Sequence, residues 1–426
     1  MALLKKLSVY GLIYCSLIAL FIGLLTFSAA LPKTKLFEKN MRHSSKDLAV
    51  TGDYYHSSGV RMDNYTDSLI LNIAYGWNPR APFDSAVRAV YSYYTIPGEK
   101  GVIDLLHLTE GQLDKRKTYF YWRYWFGQSA IIKILHYAMH LNKLYAFIGF
   151  VSMSLLFLCC LQTLKTCGKL EAFSLFILLG LCNFHVFFLS LQYYPVIWIG
   201  LGGLLFLLRK DDLTLRGPVF FTLGMLTAYF DLLTAPILTF GIPALIICGK
   251  DLHQETVNGH TGWKTWIRIW FGYPAIWLAG YAASWGTKIL LGIWCCGTWN
   301  QFVHQITLRT GSVHLEKEIS RGSALLRNVN NIIYDSTLVF FLLLAVLVVL
   351  LIMNLLELNR GRMFFDIRFF LGYLTLAVIP VAIILLMANH TFLHAYFTYR
   401  GMAMSFAALL MTLTAFRPVF PSGKPN

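Results

Sequence analysis

The stretch "STLVFFLLLAVLVVLLIMNLL" (336–356) holds no charged residue and, as a helix, is long enough to cross a hydrocarbon core of about 30 Å. A run like this fixes the solvent before it fixes the fold. Inside a bilayer every backbone N–H and C=O must be satisfied by the chain itself, which leaves helices or a closed barrel. Barrel strands would alternate apolar and polar residues in segments of about ten, and the runs here are continuous instead. The chain therefore reads as an all-α polytopic membrane protein.

A second run, "LSVYGLIYCSLIALFIGLLTFSAAL" (7–31), follows Lys5 and Lys6, which places the N-terminus inside. The alternative is a cleaved signal peptide, for which "FSAAL" offers small residues, although the apolar run is long for that purpose. Further runs lie at 144–163, 171–191, 195–208, 269–291, 370–388 and 401–416. Between them a hydrophobic region, 217–249, is broken by "FDLLTAP" (230–236). With that region counted as two short helices, the chain is expected to have about ten spans, both termini inside. It forms one integral-membrane domain, 1–426, with a long outer loop at 32–140 and a second at 296–335.

The net charge of +15 raises the question of a nucleic-acid partner. The basic residues form no stripe; they sit in short gaps between apolar runs, as the positive-inside rule requires. Lys165, Lys169, Arg209, Lys210, Arg216, Lys250, Lys264, Arg268, Arg360, Arg362, Arg368, Arg417 and Lys424 fall in the expected inner gaps. Among the short outer turns only Arg400 is basic. Nucleic acid is excluded as a partner, and the bilayer is implied. The cysteines show no CxxC or Cys/His ligand spacing, and most lie in apolar runs, where Cys acts as a small hydrophobe.

The first outer loop is expected to carry interfacial helices. "DSLILNIAYG" and "FDSAVRAVYSYY" have helical apolar spacing. "KTYFYWRYWFGQ" (117–128) is dense in aromatics of the kind that favour the headgroup level.

Four places in the sequence carry candidate chemistry. In "RMDNYTDS", Asp63 and Asp67 are four apart, so a helix would stack two like charges. One of them would cap a helix starting near Tyr65 and the other would be a solvated carboxylate, or one or both would serve as a general base or metal ligand. In "NHTFLHAYFTYR" (389–400), His390 and His394 are also four apart, followed by Tyr399 and Arg400. The His pair lacks an obvious third metal ligand, so no cofactor is expected. Together with Arg400 it suits an anionic headgroup, since Arg offers a bidentate fork to phosphate. Asp231, before Pro236 in the broken region, is either a helix cap or an ion or headgroup contact. Arg123 in "WRYWFG" is either a snorkelling anchor or a further phosphate contact. The sequence has no GxxxxGK[ST] loop, GxSxG elbow or HExxH motif, so an enzyme here would need a substrate already activated and already in the lipid.

This layout resembles the GT-C integral-membrane glycosyltransferases: one span, a long outer loop with acidic residues, then many uneven spans. "YWRYWFGQS", "FDLLTAPILTFGIP" and "NHTFLHAYFTYR" are similar to stretches of bacterial membrane proteins grouped with them. The resemblance implies a plasma-membrane enzyme, active on the extracytoplasmic face, that takes sugar from a polyprenyl-phosphate donor. The acceptor would be a glycan, a lipid or a protein. It further implies an aspartate base in the first loop, here Asp63 or Asp67, a spaced pair where some members carry adjacent acids. Arg400, His394, His390 and Arg123 would then hold the phosphate, with Asp231 and Tyr399 nearby. The competing readings are a transporter or flippase of a lipid-linked saccharide, a polysaccharide polymerase or ligase, and a non-catalytic assembly protein.

Overall fold

The structure, a computed structural model, describes residues 2–95, 101–112, 114–260, 262–311, 313–314 and 317–419. Lys424, counted above among the inner charges, lies outside them. Helix α1 (Ala2–Ala30) runs into a polar segment that folds against the helices rather than spreading over a surface. Thr34 caps α2 (Lys35–Thr51) by accepting from the Phe37 N–H. A tight hairpin follows, β1 (Tyr54–Ser57) against β2 (Val60–Asp63), pairing Tyr54 with Asp63. Its turn needs left-handed backbone at Ser58 and Gly59, φ 51° and 82°. β2 then runs straight into α3 (Asn64–Gly76), so Asp63 is both the last strand residue and the helix cap.

The expected interfacial helix at 67–76 is instead a buried one. Leu69 and Ile73 pack with Trp77, Trp125 and Tyr229, while Ile70 and Leu71 pack with Phe37, Leu105 and Leu144 on the other side. Consecutive apolar residues leave no polar face to lie on headgroups, and a helix apolar all round is buried. After α4 (Pro82–Arg88), β3 (Val90–Tyr94) is tied to α3 by the Asn72 amide, which bonds both N–H and C=O of Ser92 at 2.9 Å. Helix α5 (Val102–Glu110) precedes β4 (Arg116–Phe120), which pairs antiparallel with β3. The aromatic run was expected at the headgroup level, yet Trp122, Trp125 and Phe126 are 3%, 1% and 1% exposed, inside the protein. The Trp125 indole donates to the Ser284 carbonyl at 3.0 Å, which fixes the run against a distant helix. Helix α6 (Gly127–Leu135) completes the segment.

The remaining helices are α7 (Leu141–Thr166), α8 (Lys169–Leu181), α9 (Tyr194–Arg209), α10 (Arg216–Phe230), α11 (Ile237–Val257), α12 (Trp263–Ile267) and α13 (Tyr273–Cys295). They continue with α14 (Trp299–Thr310), α15 (Arg321–Asp335), α16 (Thr337–Asn359), α17 (Ile367–Leu386), α18 (Ala388–Leu393), α19 (Ala395–Thr398) and α20 (Met402–Met411). Four helices among the described residues are long and apolar enough to cross a membrane: Leu7–Ala30, Leu141–Thr166, Thr337–Asn359 and Ile367–Leu386. The other apolar segments are shorter or charged. Helix α9 has 16 residues, and α11 and α13 contain Lys250, Asp251 and Lys288. Helix α16 buries only Leu343 and presents Leu, Val and Phe on every other face, a surface compatible with lipid and ill suited to water.

The broken region folds where its sequence breaks, with α10 ending at Phe230 and α11 beginning at Ile237. Helices α10 and α13 approach through glycines: a Cβ at Gly224 would lie 2.0 Å from the Trp277 carbonyl oxygen, and one at Gly280 would lie 2.1 Å from that of Phe221. Such small-residue contacts let two helices meet backbone to backbone.

Candidate functional site

Where the cap of α3, the aromatic run, the 231–236 turn, α14 and α18–α19 converge, they enclose a cavity of about 470 Å³. Asp63 forms part of its wall and is 3% exposed. Its Oδ1 accepts from the Thr66 N–H at 3.0 Å and its Oδ2 from the Thr66 hydroxyl at 2.9 Å. The Tyr396 hydroxyl stands 3.4 Å from Oδ2. Beside it, Arg61 lies between the rings of Tyr54 and Tyr396, 4.3 and 4.5 Å from their centres.

Asp67 is one turn further on and does not line the cavity. Its two oxygens accept from the Leu191 N–H at 2.9–3.0 Å, the Tyr145 hydroxyl at 2.8 Å and the Ser190 hydroxyl at 3.2 Å. Burial pushes its carboxyl up to about 7 against the pull of the Leu191 and Tyr145 donors. The solvated surface carboxylate expected from the spacing is therefore a buried tie between α3, α7 and the start of α9. The like-charge problem posed by the sequence is resolved by separation: the two carboxylates face different surroundings and have different partners.

The histidines do reach the cavity, both lining it. The His390 Nε2 is 3.1 Å from the Leu233 carbonyl, whose residue is held at φ 69°, a left-handed conformation costly for leucine. That contact assigns the proton to Nε2. The His394 ring stacks on Phe397, 5.1 Å centre to centre, and its buried Nδ1 has no hydrogen-bond partner among the described residues. Burial and the adjacent imidazole lower His390 to about 3, and burial lowers His394 while Asp63 opposes the shift. Both are neutral near pH 7. The histidine pair therefore meets the cavity as neutral hydrogen-bonding groups. Among the described residues no third metal-ligating side chain joins them.

Positive charge at the cavity comes from arginine. Arg123 lines it, with Nη1 3.2 Å from the Tyr119 hydroxyl and Nε without a partner. Arg309 of α14, absent from the sequence reading, also lines it and donates to the Tyr124 hydroxyl at 2.8 Å. Arg400 does not line the cavity. It is fully buried, donating to the carbonyls of Cys182 and Tyr396 at 3.1 and 3.2 Å, with its guanidinium against the faces of Tyr193 and Tyr399. Tyr399, also off the cavity, accepts from the Asn183 amide at 2.8 Å. Asp231 closes the 231–236 turn by accepting from the Thr234 N–H at 3.1–3.2 Å; burial raises it to about 7, and its neighbours Leu232 and Thr234 line the cavity in its place.

Gln192, Asn389 and Gln305 also line the cavity and were missed in the sequence reading. The Gln192 Nε2 and Asn389 Oδ1 have no partner among the described residues. For Arg309 and Gln305 a positional signal existed, since both lie in the second outer loop, and Asn389 opens the stretch 389–400. A narrower apolar cleft of about 50 Å³, walled by Pro236, Ile237, Pro380, Ile384 and Met387, meets the cavity at Thr234 and His390, which line both. The site thus offers one ionisable carboxylate, two guanidinium groups, neutral imidazole, unpaired amides and aromatic walls, opening beside an apolar cleft. Comparison with protein-family models, with curated proteins and with solved structures finds no match to this chain.

Proposed function

We propose that the chain is an integral-membrane glycosyltransferase of about ten spans, using a polyprenyl-phosphate-linked sugar on the extracytoplasmic face of a bacterial plasma membrane. The observation that carries this reading is that Asp63, Arg123 and Arg309 line one cavity together. The sugar packs on aromatic faces such as Tyr124 and Phe126, and the amides of Gln192 and Asn389 meet its hydroxyls. The guanidinium groups of Arg123 and Arg309 hold the phosphate, and the apolar cleft receives the first part of the prenyl chain.

The chemistry follows from these placements. An acceptor hydroxyl attacks the anomeric carbon from the side opposite the phosphate, and the new C–O bond forms as the bond to the phosphate oxygen breaks with inversion. Asp63 takes the hydroxyl proton, for which a carboxylate oxygen keeps a free lone pair beyond the Thr66 contacts. The phosphate leaves with the bonding electrons, and the arginines stabilise the charge it gathers. No cofactor is needed for this sequence of events. Asp67, Arg400, Tyr399 and Asp231 act as positioning residues in this reading.

The test is the purified chain in liposomes with a series of polyprenyl-phosphate sugars, following both transfer to soluble acceptors and movement of donor between leaflets. Transfer with inverted anomeric configuration supports the reading. Donor movement without transfer supports the carrier alternative and removes Asp63 as a base.

A further inference from the structure

Away from the cavity, α2 carries His43 and Asp47 four residues apart on one face, and His140 caps the N-terminus of α7 beside them. The His43 Nε2 lies 3.6 Å from Asp47 Oδ2, and the His140 Nδ1 lies 3.9 Å from the same oxygen. The ligand atoms of all three fall within 4.8 Å of one another. These separations exceed hydrogen-bond length. They approach the edge of a tetrahedron around a zinc ion, about 3.3 Å for metal–ligand bonds near 2.05 Å. The His140 Nδ1 is shielded from solvent yet has no hydrogen-bond partner among the described residues. A buried ring nitrogen left unpaired while pointing toward a carboxylate and a second imidazole is what a metal ligand without its metal looks like. Asp47 is held in place by the Asn142 amide, which donates to Oδ2 at 2.9 Å, the outer-shell contact that orients ligating carboxylates.

We propose that His43, Asp47 and His140 bind one first-row transition-metal ion, Zn²⁺ by preference, with the fourth position open to water. The donor set of two imidazoles and one carboxylate suits zinc and is a poor match to the all-oxygen shells of calcium or magnesium. Lys143 lies near His140, and Lys39 and Lys46 share a groove with His43. Their charge repels a cation, so the expected affinity is micromolar rather than nanomolar. The ion would clip α2 to the first turn of α7. That turn carries Tyr145, whose hydroxyl holds Asp67. The site is independent of the glycosyltransferase reading.

The experiment uses the full chain in detergent, purified without a polyhistidine tag and stripped with a chelator. It is titrated with Co²⁺, whose visible absorption reports coordination number, and then with Zn²⁺ in competition. One equivalent is expected to bind with the intense bands of a four-coordinate site, and Zn²⁺ is expected to displace it and raise the thermal midpoint. His43→Ala and His140→Gln should each weaken binding by more than about tenfold, by analogy with the smaller losses from outer-shell changes. The double variant His390→Gln/His394→Gln should bind as wild type does. The His43 side chain is 55% exposed, so its replacement leaves the fold intact and keeps the test valid where His140→Gln does not fold. Absence of saturable one-equivalent binding in the wild type, or equal binding in His43→Ala, would overturn the assignment.

Discussion

Helix α10 separates two charged regions that share composition and differ in what is left unpaired. At its first residue, Arg216 is fully buried and satisfied: Nε and Nη2 donate to Asp251 at 2.9–3.1 Å, Nη2 also reaches Asp211 at 3.1 Å, and Nη1 reaches the Leu207 carbonyl at 2.9 Å. The Tyr273 hydroxyl adds a bond to Asp251 at 2.9 Å. Some 20 Å away along the helix, by the rise of about 1.5 Å per residue, the turn at Asp231 borders the cavity. There Arg123 Nε, His394 Nδ1, Gln192 Nε2 and Asn389 Oδ1 are buried without partners among the described residues. Desolvated polar groups are costly unless something satisfies them. The first region closes on itself; the second leaves donors and acceptors without partners among the described residues, which the proposed function assigns to a ligand.

The contrast can be broken by substitution. The largest effect is expected for Asp63→Asn, with turnover down by about 10²–10⁴ while sugar-donor binding and the thermal midpoint stay close to wild type. Binding and single-turnover rates measured on the same preparation check this. Next comes Arg216→Met, which strands Asp251 in the interior and should cost about 3–5 kcal/mol of stability. Denaturation in detergent reads that loss, and any surviving protein should bind the sugar donor normally. Arg309→Ala should weaken sugar-donor binding by about tenfold or more, the loss of one charge-assisted contact of about 1.5–3 kcal/mol, with stability unchanged. Swapped outcomes for Arg216 and Arg309 would erase the distinction.

A smaller effect sharpens the account of Asp67. Its carboxyl, raised to about 7 by burial, binds a proton more tightly in the folded chain than in the unfolded one. The folded state therefore holds more protons between the unfolded carboxyl value of about 3.9 and 7, and stability falls as pH rises through that window. Above it the contribution is level. In Asp67→Asn the part of this slope due to Asp67 should vanish, which thermal midpoints from pH 4 to 8 would reveal. Asp231, also raised to about 7, should retain its own share.

What could be read from the sequence follows the physics of each signal. That one of the two aspartates caps the helix was legible because N-capping is local, set by a carboxylate before an apolar helix; the structure gives that role to Asp63. The break at 230–236 was equally local, marked by Asp231 and Pro236. Burial of Asp67 was not legible, since its partners Leu191, Ser190 and Tyr145 lie far along the chain. The aromatic run misled for a related reason. Trp and Tyr suit a headgroup layer and a protein interior alike, and only the long-range bond from Trp125 to Ser284 decides between them. Arg400 and Arg309 both lie near the mouth of the site in sequence terms, but which guanidinium faces the cavity depends on tertiary packing. Among the described residues four helices have the length and apolarity to cross a membrane, while shorter ones such as α9, with 16 residues, fall below that length.

The most direct test sets Asp63→Asn beside Asp67→Asn, with wild type, on purified protein given a polyprenyl-phosphate sugar and its acceptor. Single-turnover rate and sugar-donor affinity are measured for each. The account predicts that Asp63→Asn binds the sugar donor but does not transfer, whereas Asp67→Asn transfers near the wild-type rate and melts at a different temperature. Transfer by Asp63→Asn at the wild-type rate would contradict it.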